Sequence, residues 1–118
     1  MDRLTNYKQI CRALLEKISA MTPSDEFTST QTIIDDERGH YILFDIGWYD
    51  SKRVYLPFIH IDVTLEAKVW LQHDGTDLRV ADQLAERGIP KNQIVIGFRP
   101  PHARALMASL LLNSWPIV

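Results

Sequence analysis

The sequence predicts an α+β domain: an N-terminal helix, a four-stranded antiparallel meander sheet, then one or two C-terminal helices, with the helices packed mainly on one sheet face. Three observations carry this. Apolar residues recur at spacings of three and four over the first twenty positions, four runs rich in β-branched and aromatic residues follow, and helical spacing returns after Asp74-Gly75. A chain of 118 residues, 46% hydrophobic and 24% charged, has the profile of a single globular domain spanning 1–118, able to bury a core without disulfides or metal.

The first helix carries Leu4, Tyr7, Cys11, Leu14, Ile18 and Met21 on one stripe; Asp2 can cap its start, and Thr22-Pro23 ends it. The strands are read from TQTIID, HYILFDIGW, RVYLPFIHIDV and KVWLQ, separated by turn-forming residues such as Glu37-Arg38-Gly39 and Asp50-Ser51. After the last strand, Thr76 is an N-cap candidate for a helix bearing Leu78, Ala81, Leu84 and Ala85, closed by Gly88. QIVIGF is a short extended piece, and PHARALMASLLL can form a further helix after the double proline.

Register decides which residues share a face. A three-residue loop at Leu65-Glu66-Ala67 pairs Thr64 with Lys68, Asp62 with Trp70 and His60 with Gln72, and segregates the faces better than a two-residue turn does. Ile59, Ile61, Val63, Val69 and Leu71 then line one side, joined through an Asp50-Ser51 turn by Ile42, Phe44, Ile46 and Tyr55, as the floor for the helices. The other face collects Tyr41, Leu43, Asp45, Val54, Leu56, Phe58, His60, Asp62, Trp70 and Gln72. Its apolar members form a patch too large to be left bare, so a second copy, a partner or the C-terminal segment should cover it. Pro57 cannot donate to a ladder, which predicts a bulge or an unpaired edge at that point.

Composition removes several function classes. Cys11 is the only cysteine, so there is no internal disulfide and no cysteine-rich zinc motif, in keeping with a reducing compartment. No stretch resembles a signal peptide or is long enough to span a bilayer, which points to a cytoplasmic protein without membrane contact. The net charge is −2 with scattered Lys and Arg, so direct DNA binding is not expected. Arg99, His102 and Arg104 form the one local basic cluster and are read as a solvated helix start.

The succession GW, RVY, HID, KVWLQ, DGT and GIPKNQIVIGF resembles the XisI-like family, the fdxN element excision controlling factors common in cyanobacteria, over residues 2 to 104. The chain departs from the family pattern in its longer TLEA connection and in continuing through LLLNSWPIV. The resemblance implies an accessory factor in programmed excision of a DNA element, with a nuclease-like partner, XisH, and no established catalytic residue. It names a setting; the chemistry rests on the side chains.

Those side chains leave two function classes. His60 and Asp62 lie two apart on one strand with Tyr41 expected opposite His60, a cluster that could serve as base and orienting carboxylate in a small hydrolase or nucleic-acid-processing subunit, or ligate metal together with His73 or Asp45. The same cluster arises from hydrogen bonding on a half-buried face, and the chain has no nucleophile elbow, phosphate loop or HExxH helix. Of the tryptophans, Trp48 is read as core or rim packing, Trp115 as a tail anchor, and Trp70 as the one that suggests a partner. The favoured reading is a non-enzymatic regulatory binding protein without cofactor or metal. It self-associates and engages a partner through Leu43, Leu56, Phe58, His60, Asp62, Trp70 and Gln72.

Overall fold

A computed structural model describes residues 2–103. Helix α1 (Arg3–Met21) is capped by Asp2, whose carboxylate accepts from the Thr5 amide at 2.7 Å, and it stops where Thr22 turns extended and donates its amide back to Ile18. Its buried face is Tyr7, Cys11, Leu14, Leu15 and Ile18. Leu15 widens the expected stripe, while Met21 falls beyond the sheet and is exposed.

Five strands follow: β1 (Thr28–Asp35), β2 (His40–Tyr49), β3 (Lys52–Val63), β4 (Val69–Asp74) and β5 (Ile94–Ile96). They lie in the order β1-β2-β3-β4-β5, the first four antiparallel and the fifth parallel to β4. The expected four-stranded antiparallel sheet is therefore a five-stranded mixed one. QIVIGF returns beside KVWLQ after a helical crossover, placing Ile94 and Ile96 next to Val69 and Leu71 on the buried side.

Helix α2 (Val80–Glu86) begins later than Thr76. Its preceding residue, Arg79, is left-handed and makes no side-chain cap. The buried Asp74 takes the capping part instead, accepting from the Thr76 amide and hydroxyl on one oxygen and from the Val80 amide on the other. Gly88, at positive φ, ends the helix as expected. The further helix expected from PHARALMASLLL lies mostly outside the described residues, as do Arg104 and Trp115.

Two irregularities set which side chains share a face. At the β2–β3 hairpin the pairing runs regularly from Tyr49↔Lys52 to Phe44↔Pro57, then resumes at Leu43↔Ile59, leaving Phe58 as an extra residue. Of the bulge or unpaired edge that Pro57 foretold, a bulge is found, at the next residue. It costs the sheet little, because β3 between Lys52 and Pro57 runs past the end of β4, where no ladder requires the missing N–H. Its effect is large, however: beyond the bulge the register moves by one residue and every side chain of β2 changes sides relative to β3. Tyr41 pairs with Ile61 and Leu43 with Ile59, so both are fully buried under α1, whereas Ile42 lies opposite His60 and His40 opposite Asp62.

The second irregularity inserts Gln72 into β4. Thr64 and Lys68 pair across the expected three-residue loop, with Ala67 left-handed, and Val63↔Val69, Ile61↔Leu71 and Asp62↔Trp70 follow; but His60 then meets His73, not Gln72. The core is accordingly one cluster between α1, α2 and a single sheet face. At its corner, Gly39 holds a positive φ and packs its backbone on Val63, whose amide donates to the Gly39 carbonyl at 2.8 Å; a Cβ there would collide with the Val63 carbonyl.

Candidate functional site

The helix-free face of the sheet divides into an apolar region and a polar one. Toward the β2–β3 turn lie Ile42, Phe44, Ile46 and Trp48 from β2 with Arg53 and Tyr55 from β3. Phe44 and Tyr55 meet edge to face with ring centroids 4.8 Å apart, and the Arg53 guanidinium stacks 5.4 Å from the Trp48 ring and 5.7 Å from Tyr55. Trp48 is 51% exposed and Tyr55 63% exposed, and Ile33 of β1 extends the surface beside Ile42. Ile42, Phe44, Ile46 and Tyr55 thus stay together as expected, but on the open face and not on the core floor. Trp48 lies in this exposed surface and not in the core.

The polar region lies where β2, β3 and β4 run side by side. Asp62 is its centre. One carboxylate oxygen, Oδ1, is 2.7 Å from His40 Nδ1 and 2.8 Å from His60 Nε2, while Oδ2 accepts from Gln72 Nε2 at 3.0 Å. Gln72 shares this face with Trp70, the cross-strand neighbour of Asp62, by strand alternation, and the bulge leaves it unpaired beside Asp62 while His73 takes the place opposite His60. Partial burial works against the Asp62 carboxylate charge, but the bonds from His40, Gln72 and His60 outweigh it and hold the group below the usual carboxylate range. The imidazoles of His40 and His60 stand at 72° to each other with centroids 6.5 Å apart.

The sequence-predicted residues are therefore only partly assembled. His60, Asp62, Trp70 and Gln72 share the open face. Tyr41 does not: its hydroxyl donates at 2.8 Å to Asp36, which Arg12 of α1 binds through Nε and Nη2, all on the helix-bearing side. Burial and the Asp36 carboxylate raise the Tyr41 phenol well above its ordinary pKa, leaving it a fixed neutral donor. Leu43 is likewise core, and Phe58 is partly buried against it. Leu56 pairs with Asp45 on the helix-bearing side and is exposed there. The patch expected from Leu43, Leu56, Phe58 and Trp70 is consequently not continuous. Ile42 takes the place opposite His60 that was expected for Tyr41, His40 joins the cluster from opposite Asp62, and neither His73 nor Asp45 belongs to it.

The arrangement can hold a carboxylate ionised and orient two imidazoles, but it places no hydroxyl or thiol nucleophile beside them among the residues that bond Asp62. No helix among the described residues is long and apolar enough to cross a membrane.

Comparison with known proteins gives consistent results. The chain is similar to the crystal structure of a XisI-like protein from Anabaena variabilis, at 34% identity over 87% of this chain and 94% of that one, with a TM-score of 0.83. It is also similar to the fdxN element excision controlling factor XisI from the same organism, at 28% identity over 87% of this chain and 99% of that one, with a TM-score of 0.76. No curated protein matches. Residues 1–108 match the family described as XisI protein, and the chain belongs to that family.

Proposed function

We propose that this chain is a non-enzymatic regulatory protein of the controlling-factor type, acting through self-association and through a protein partner, with the helix-free sheet face as the contact surface. The observation that carries this reading is the composition of that face. Trp48, Arg53, Tyr55 and Phe44 form a stacked aromatic and guanidinium surface, the residue types that dominate protein interfaces, flanked by Ile42 and Ile46. Helices α1 and α2 pack on the opposite side, so none of their apolar surface serves to cover it. An exposed surface of this kind is stabilised by contact with a second protein surface.

A second copy of the chain is the first occupant, and a XisH-like nuclease-family protein is the partner that the family membership suggests. The rival reading, a small hydrolase built on Tyr41, His60 and Asp62, loses Tyr41 to the other face of the sheet. Light scattering over a concentration series tests the proposal. The wild-type chain should be larger than a monomer, and Phe44→Glu or Trp48→Glu should shift it to monomer with its circular dichroism intact, because a charge in a desolvated contact is costly. Co-purification with the XisH-like protein should be lost in the same variants. A wild-type chain that stays monomeric at high concentration and retains no partner would sink the reading.

A further inference from the structure

We infer that His40, His60 and Asp62 form a binding site for a divalent transition metal of the zinc class. Three donor atoms converge, two imidazole nitrogens and one carboxylate oxygen, all within 4.8 Å of one another. They come from neighbouring positions of β2 and β3, so the backbone under them is fixed by ladder hydrogen bonds and not by a loop. Zinc bonds of about 2.0–2.2 Å in tetrahedral array place ligand atoms roughly 3.4 Å apart. The imidazole–carboxylate separations of 2.7 and 2.8 Å are shorter than this by about 0.6 Å and the donor set spans up to 4.8 Å, so the three side chains must adjust around the ion to admit it.

The chemistry of the donors selects the class of ion. Two imidazoles with one carboxylate suit zinc, nickel or copper, and exclude magnesium and calcium as favoured occupants because those ions take oxygen ligands. The outer partner is also present: Gln72 holds the far oxygen of Asp62, orienting the carboxylate so that Oδ1 faces the two histidines. The imidazole nitrogens that now face Asp62 become ligands by a tautomer change, which moves each proton to the outward nitrogen and leaves a lone pair for the metal. His40 and His60 are both partly exposed, so a fourth coordination position opens to solvent or to a bound partner.

Calorimetric titration of the full chain with zinc at near-neutral pH tests the site, with cobalt(II) absorption reporting the coordination geometry. One zinc should bind per chain, cobalt should give a tetrahedral spectrum, and magnesium in excess should not compete. His40→Ala, His60→Ala and Asp62→Ala should each weaken binding by at least about tenfold, and Gln72→Ala by about tenfold through the loss of carboxylate orientation. His73→Ala, which removes the exposed cross-strand neighbour of His60, should leave the affinity unchanged. Circular dichroism of each variant separates lost binding from lost fold, and His40, the most exposed ligand, gives the variant least able to disturb packing. Absence of zinc uptake by the wild-type chain, or uptake that His40→Ala leaves intact while His73→Ala removes it, would overturn the assignment.

Discussion

His40 and Asp62 stand directly opposite each other on β2 and β3, and the imidazole Nδ1 lies 2.7 Å from the carboxylate oxygen that also receives His60. Asp62 therefore joins side chains of three strands, since Gln72 of β4 takes its other oxygen. Asp62→Ala removes the acceptor from all three and should cost about 1–3 kcal/mol in chemical denaturation. Asp62→Asn should restore part of the loss, because the amide oxygen still accepts.

Ile61 is fully buried between Tyr41 and Leu71 under the helices. Truncation to alanine removes buried methyl groups and leaves a cavity, so Ile61→Ala should cost about 2–5 kcal/mol. A urea melt showing a loss below about 0.5 kcal/mol would mean that this face is not the core.

Cys11 sits at the centre of the α1 contact with no exposed surface, and burial pushes its thiol up to about 12. The thiolate is the reactive form, so the folded protein should resist thiol reagents near neutral pH and react only on opening. Labelling as fast in buffer as in denaturant would contradict the packing of α1 on the sheet.

Asp36 links the helix to the sheet, accepting from Arg12 and Tyr41, and the Arg12 bonds in first place hold its carboxyl below the usual range. A depressed folded-state pKa means that this stabilisation is complete above the unfolded value of about 3.9 and is lost as pH falls through the folded value. Urea midpoints for wild type and Asp36→Asn should therefore differ at neutral pH and converge in acid. Asp36 is half exposed, so the neutral-pH difference should be small.

Much of the architecture follows from local pattern. The helical stripe of α1, the Asp2 cap and the Thr22-Pro23 stop are short-range features, and the Leu65-Glu66-Ala67 loop fixes Asp62 against Trp70 because turn geometry dictates register over the next few pairs. Pro57 likewise announces a bulge or an unpaired edge, since an absent N–H is a property of the residue itself. His60, Asp62, Trp70 and Gln72 were accordingly legible as neighbours on one face. The helix-to-strand crossover that adds β5 was not, because a parallel partner is chosen by packing between segments distant in sequence.

The sequence by itself determined that the chain makes a helix and a set of paired strands, and that one sheet face carries a His-Asp motif beside a tryptophan. Only the tertiary structure decided which residues of β2 join that motif. Both alternating sets of HYILF are apolar enough to be buried, so hydrophobic pattern does not discriminate between them. The choice is made by the single extra residue at Phe58: counting pairs straight from the Asp50-Ser51 turn puts Tyr41 opposite His60, and one bulge moves the register so that His40 meets Asp62 and Tyr41 enters the core. With a side-chain period of two, one inserted residue exchanges the two faces; the insertion falls at Phe58, next to where β3 begins to pair with β4, and it puts Tyr41 and Leu43 in the core under α1.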